Sequence, residues 1–182
     1  MPSSPKILKE AILETAFTIL LRDGYEEVNI KNIAKELNCS TQPISRQFGN
    51  MENFRKALFV YCVDYVNQRF ALEEEAVEAV IENIAKRYIE IAYDTPKLYK
   101  YLYMGGQEGG YMQRVSKEMR RENHQKVLAG LVAKYNISQE AAERYLENIN
   151  YYVHGMAAYV AVGQGKLTKQ ELMDRIHEVS DM

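Results

Sequence analysis

The chain has no tryptophan, only two cysteines in 182 residues and no apolar run long enough to cross a bilayer. Each shortage removes a class of protein. Cys39 and Cys62 form neither a CxxC nor any metal-ligand spacing, so a zinc module and a disulfide scaffold are excluded and two packing thiols are expected. The first residues, MPSSPKILKE, lack the apolar core of a signal peptide, and a cytoplasmic protein is expected. No nucleophile has a matched base, no Glu-x-x-His pair occurs, and the paired glycines of Gly105-Gly106-Gln107-Glu108-Gly109-Gly110 are followed by no Lys-Ser/Thr. The expectation is therefore no catalytic residue, no metal and no cofactor, in a protein that is not an enzyme. Charge of one sign is also missing. The net charge is −2, with eight Lys/Arg and seven Asp/Glu in residues 1–58, so a uniformly basic nucleic-acid surface is excluded. Positive charge gathers only locally: between residues 31 and 56, Lys31, Lys35, Arg46, Arg55 and Lys56 face Glu36 and Glu52 alone.

What is present is apolar patterning of helical period. With 47 % hydrophobic residues the chain can bury a sizeable core. The stretch NIKNIAKELNCSTQPISRQF, Asn29 to Phe48, reads as two short helices joined by a tight turn. The first, about Ile30 to Leu37, sets Ile33, Ala34 and Leu37 on one face and Lys31 and Lys35 outside. Ala34 is small enough for a second helix to approach closely, Asn38 suits a left-handed turn, and Ser40 is the expected cap of the second helix. That helix, about Thr41 to Gln47, buries Ile44 and Phe48 and points Thr41, Gln42, Ser45, Arg46 and Gln47 outward. Short hydroxyl, amide and guanidinium groups at the start of a helix are what base edges in a major groove require, since they match its donors and acceptors.

Around that unit, Ile7 to Leu21 forms an amphipathic helix with Leu8, Ile12, Ala16, Ile19 and Leu20 as its stripe, closed by Asp23-Gly24. Several spaced segments in the first third, namely Ile12-Leu13 through Ala16, Gly24-Tyr25, Ile33-Ala34, Leu37-Asn38-Cys39-Ser40, and Phe48 with Asn50 to Phe54, carry a resemblance. The chain resembles the TetR family of transcriptional regulators. The resemblance implies an all-α fold, with a three-helix DNA-binding head over residues 1–50 and a helical ligand-binding and dimerisation body over 51–182. It implies a double-stranded DNA operator as partner, contacted by Lys31, Ser40, Thr41, Gln42, Ser45, Arg46 and Gln47, and a small-molecule inducer that releases it. Two positions depart from the family pattern. Ser45 stands where a phosphate-holding Tyr is usual, and Met51 where a Lys commonly opens the next helix. A helical adaptor that has lost DNA reading is the alternative these two departures leave.

Beyond the head, a linking helix from Asn50 to about Phe70 is expected to pack through Phe54, Leu58, Tyr61, Tyr65 and Arg69. Glu73-Glu74-Glu75 reads as a solvated first turn of the next helix, which runs to about Tyr93 with Val77, Val80, Ile81, Ile84, Tyr88 and Ile91 inside. Asp94-Thr95-Pro96 supplies a stop, a cap and a first-turn proline for a short helix ending at the glycine-rich loop. A helix from about Tyr111 to Tyr135 comes next, with Val115, Met119, Val127, Leu128 and Leu131 inside and Lys117, Arg120, Arg121 and Lys126 outside. Ser138 caps a helix reaching about Val162, and Thr168-x-x-Glu171 is a capping box for the last. The fourteen tyrosines suit a pocket for a small apolar, aromatic or cationic ligand, and Tyr88, Tyr103, His124 and Tyr152 are the expected lining. The Tyr151–Met156 stretch is similar to a His-Gly segment in the ligand domains of some TetR relatives. A homodimer is implied by the resemblance, with Gly155, Ala158, Val162, Leu172 and Ile176 at its interface.

Overall fold

The computed structural model describes residues 8–69, 77–105, 119–164 and 167–180. Every regular element among them is helical, as the sequence pattern implies, and the chain divides into two compact units, Met1–Arg69 and Phe70–Met182. The expected run of Glu73 to Glu75, the glycines after Gly105, and Tyr111, Val115 and Lys117 fall outside the described residues. So do the side chains of Arg69, Val77, Val80, Ile81, Ile84, Met119, Arg120, Arg121 and Val179.

In the first unit, α1 (Lys9–Asp23) buries Ile12, Leu13, Ala16, Phe17, Ile19 and Leu20. Leu8, expected in that stripe, lies before the helix and is 60 % exposed; the apolar face begins a turn later. Gly24 ends α1 with φ 106°, a left-handed value that a side chain would strain. α2 (Ile30–Glu36) starts at Asn29, whose side chain accepts from the Asn32 backbone N–H at 3.0 Å. It packs on α1 and buries Ile33 and Ala34. Asn38 takes φ 48°, the expected left-handed turn residue, and the Cys39 N–H reaches the Ala34 carbonyl at 2.9 Å.

α3 (Gln42–Phe48) buries Ile44 and Phe48 alone. Its N-cap is Thr41 rather than the expected Ser40, and no side chain caps it; Pro43 in the first turn lacks an N–H and so needs less capping. The corner into α4 (Met51–Arg69) turns at Gly49, φ 75°. Asn50 accepts from the Asn53 N–H at 2.8 Å, and the Asn53 side-chain amide donates to the Phe48 carbonyl at 3.0 Å. α4 packs back on α1 and α3, burying Phe54, Leu58, Cys62, Val63 and Val66, with Phe17 against Tyr61 at 5.5 Å and Tyr65 at 4.7 Å. It therefore clusters with the head elements rather than with the body it was expected to open.

In the second unit, α5 (Val77–Asp94) packs against α8 (Gln139–Ala161) and α9 (Lys169–Ser180), and α7 (Met119–Tyr135) lies on both α5 and α8. Between α5 and α7 come α6 (Pro96–Tyr99) and one wide π-helical turn, Lys100–Met104. Two expected caps hold. Ser138 accepts from the Ala141 N–H at 3.2 Å, and in the Thr168–Glu171 box the Glu171 N–H donates to the Thr168 hydroxyl while the Thr168 N–H donates to the carboxylate at 2.7 Å. Thr95 does not cap α6. Its hydroxyl donates backward to the Ile91 carbonyl at 2.9 Å, tying it to the end of α5.

Leu172 and Ile176, expected at a dimer interface, are each only 2 % exposed within the single chain, where α9 packs on α5 and α8. Their apolar face is core. Ile176→Ala should thus lower stability by about 2–5 kcal/mol, as deletion of buried methyl groups does, while leaving oligomeric state unchanged. Urea unfolding beside sedimentation of the variant checks both parts.

Candidate nucleic-acid interface and aromatic cluster

A seven-residue helix with two buried side chains leaves most of its circumference to solvent. Thr41, Gln42, Ser45 and Arg46 are exposed on α3, as are Ser40 before it and Lys31 on α2, whereas Gln47 is half-buried. Ser45 lies one turn on from both Thr41 (i, i+4) and Gln42 (i, i+3), so the three share one side, with Arg46 beside them. These groups are held from behind: Ile44 is 1 % exposed, and the Phe48 ring meets Phe54 edge-on at 5.2 Å. The aliphatic stem of Lys9 also brings its ammonium to 5.4 Å from the Phe48 ring.

The local charge is sharper than the composition. Arg22 donates to both Asp23 and Glu36 at 2.7 Å, so the acid at position 36 is already paired across α1 and α2, and both pairings raise the guanidinium pKa. Lys56 is paired with Glu52, whose carboxyl is lowered by that bond. The side chains of Lys31, Lys35, Arg46 and Arg55 make no ion pair or hydrogen bond among the described residues, so four of the five expected cations stay available. Beside them, Ser45 and Met51 line a shallow cleft of about 210 Å³ with Ile30, Ile44, Phe48, Gly49, Asn50 and Phe54. The short Ser45 side chain leaves that space open.

In the second unit the structure joins two of the four expected ligand residues. Tyr88 of α5 and Tyr103 of the π turn lie 4.9 Å apart ring to ring, and Tyr103 is 4.9 Å from Tyr99 of α6. His154 of α8 completes the group, its ring 6.0 Å from Tyr99 and 6.5 Å from Tyr103. The Tyr99 Oη stands 2.9 Å from His154 Nδ1 and 3.3 Å from the His154 carbonyl. Tyr99 itself is fully buried; burial, and then the charge of Tyr88, push its hydroxyl pKa up, whereas burial lowers that of His154. The π turn is closed by the Gly105 N–H donating to the Lys100 carbonyl at 2.7 Å, and a Cβ there would lie 3.0 Å from the Tyr101 carbonyl oxygen.

The other two expected residues lie elsewhere. His124 is exposed on α7, and Tyr152 is 37 % exposed on a different face of α8 from His154. The sequence singled out the His-Gly stretch that holds His154 but not its pairing with Tyr99, because a pair 55 residues apart has no local signature. That outer face of α8 also carries Tyr151, Tyr159 and Val162, all exposed, with Ala158 half-buried and nothing within 4 Å of the place a Gly155 Cβ would take. Elsewhere, Cys62 is buried, which pushes its thiol up to about 12, beyond the range of a reactive thiolate. None of the described helices is long and apolar enough to cross a membrane.

No protein-family model matches the chain. Among curated proteins it is similar to the biofilm operon icaADBC HTH-type negative transcriptional regulator IcaR of Staphylococcus aureus, in strains Newman and COL alike, at 21 % identity over 97 residues. The match covers 53 % of this chain and 52 % of the relative, so the chain spans about half the length of the curated relatives it matches. Among solved structures it is similar to a TetR-like transcriptional regulator from Rhodococcus sp. RHA1, with a TM-score of 0.58 over 99 % of this chain and 96 % of that one, at 12 % identity. That likeness is one of fold. The described helices have the all-α, TetR-like architecture.

The half-buried His154 sets a pH dependence. Its folded pKa lies below the ordinary 6.5, so as pH falls the unfolded chain takes up a proton before the folded one does. The stability it contributes is complete above about pH 6.5 and is lost as pH falls through the lowered folded value. His154→Phe, which keeps a ring without the titration, should lose less melting temperature than wild type between about pH 7.5 and about pH 5. Thermal scans of both proteins across that range check it.

Proposed function

We propose that this chain is a DNA-binding transcriptional regulator that works in the cytoplasm as a homodimer, repressing from an inverted-repeat operator until a small molecule occupies the body. The observation that carries the reading is the α3 surface: Thr41, Gln42, Ser45 and Arg46 are exposed on a helix fixed from behind by Ile44 and Phe48. A rigid helix with hydrogen-bonding groups at its start, beside cations that no acid neutralises, suits a major groove and its flanking phosphates. The description of the Staphylococcus aureus relative as a negative transcriptional regulator supports repression. The functional roles of Lys31, Ser40 and Gln47 rest on the same arrangement, with Gln47 the least exposed of them.

Dimerisation is assigned to the outer face of α8. Tyr152, Gly155, Tyr159 and Val162 recur at helical spacing, and a helix from a second copy can come close where Gly155 has no neighbour. Two reading helices then meet half-sites about 34 Å apart or slightly more, which is one turn of DNA. The inducer site is assigned to the ring cluster of Tyr88, Tyr99, Tyr103 and His154. Those rings come from α5, α6, the π turn and α8, so an occupant moves these elements against one another.

Gln42→Ala and Arg46→Ala are each expected to weaken specific operator binding by about 1–3 kcal/mol without lowering stability, because both side chains are exposed. Titration of operator fragments by fluorescence anisotropy at two salt concentrations measures this, and wild-type affinity in both variants would leave the adaptor reading in its place. Tyr159→Glu is expected to convert the dimer to a monomer and abolish operator binding, with little effect on the fold of the single chain. Sedimentation velocity decides: an unchanged dimer moves the interface off this face.

A further inference from the structure

The hydrogen bond between α6 and α8 fixes more than packing. A phenol hydroxyl has one proton, and at 2.9 Å the imidazole Nδ1 is its nearer and more basic acceptor. The competing His154 carbonyl is 3.3 Å away, the longer contact, and lies inside a helix, where it also faces the backbone ladder. When Tyr99 donates to Nδ1, the ring proton must sit on Nε2. His154 makes no further side-chain hydrogen bond among the described residues, and no buried side-chain nitrogen or oxygen among them lacks a partner, so Nε2 keeps access to solvent. The arrangement thus presents one oriented N–H next to the half-buried rings of Tyr88 and Tyr103.

We propose that Tyr99 is a positioning residue that holds His154 in its Nε2–H form, and that His154, Tyr88 and Tyr103 together bind a planar aromatic molecule carrying a hydrogen-bond acceptor. This rests on the reading of the ring cluster as the inducer site. Tyrosine faces favour a flat π system, and an oriented donor selects among flat molecules, since one without an acceptor strips water from Nε2–H and returns nothing. A fused bicycle with a carbonyl should therefore bind better than the same shape without one.

The test uses the full chain labelled with the heavy nitrogen isotope in histidine, of which there are three, with His124→Gln and His177→Gln to assign the resonances. Long-range proton–nitrogen correlation at about pH 7.5 should show His154 protonated at Nε2 and bare at Nδ1, and Tyr99→Phe should convert it to a mixture of tautomers. Coumarin, a planar bicyclic lactone, should shift the Nε2 resonance. His154→Phe should bind coumarin about fivefold more weakly or worse, and bind naphthalene as wild type does. Melting is measured for each variant; should His154→Phe unfold, Tyr99→Phe carries the same comparison, with coumarin weakened and naphthalene unchanged. A proton on Nδ1, a tautomer indifferent to Tyr99→Phe, no shift with millimolar coumarin, or equal loss of both ligands overturns the proposal. None of these readouts involves DNA. Failure here with intact operator binding rejects this ligand chemistry and leaves the DNA reading standing, and loss of operator binding with an intact coumarin response does the reverse.

Discussion

A seven-residue helix does not hold its shape in water by its own hydrogen bonds, because the cost of nucleating it exceeds what so few turns return. α3 is such a helix, and everything asked of the first unit depends on how Ile44 and Phe48 hold it. Those two residues lie at i and i+4, so they fix one line along the helix and leave the rest free to face a partner. The supports are redundant behind that line. Phe54 closes on Phe48 from α4, the left-handed turn at Asn38 sets the entry from α2, and Asn50 with Asn53 fixes the exit. A polar surface can be both exposed and well positioned only because its fixing points are apolar and hidden.

The second unit solves a related problem with one long helix. α8 buries Ala142, Leu146, Ile149, Val153, Ala157 and Ala161, a line with alanines at both ends and larger side chains between, and α5 packs along it. Its opposite side keeps tyrosines and a glycine in solvent. An exposed tyrosine is tolerable alone, since its hydroxyl remains wet, but several on one helical stripe form the kind of apolar patch that marks a contact surface.

Local rules explain which features were legible in the sequence. Asn38, Ser138, the Thr168–Glu171 box and the proline at position 96 act within a few residues of themselves, so their chemistry is visible in a single window. The pattern around Asn29–Phe48 was legible for the same reason. Ser40 was misplaced by one residue because Thr41 and Pro43 offer an equally good start to the helix. On α5 the expected stripe through Ile84, Tyr88 and Ile91 passed over the neighbouring line of Ala85, Ile89 and Ala92, which are nearly inaccessible in a helix that packs on α8. Leu172 and Ile176 form a true apolar face, yet an apolar face does not say whether its own chain or another covers it; α5 and α8 do so here. The Tyr99–His154 pair was beyond reach altogether, because it exists only once α6 lies across α8.

That pair also ties the two halves of the functional reading together. His154 projects from α8 toward the rings of α6 and the π turn, and the very next residue, Gly155, faces solvent on the stripe assigned to a second copy. An α-helix advances about 100° per residue and is stiff over two turns, so its two faces cannot move independently. Any occupant that alters the contact between His154 and Tyr99 must either break that hydrogen bond or carry α8 with it. Breaking it leaves the buried Tyr99 hydroxyl with only the longer bond to the His154 carbonyl, at 3.3 Å, which is costly in an apolar interior. On the proposed reading, movement of the helix is then the cheaper response, and it displaces Tyr152, Gly155 and Tyr159 together. The wide π turn that follows α6 closes at Gly105, where a Cβ would crowd the Tyr101 carbonyl oxygen at 3.0 Å.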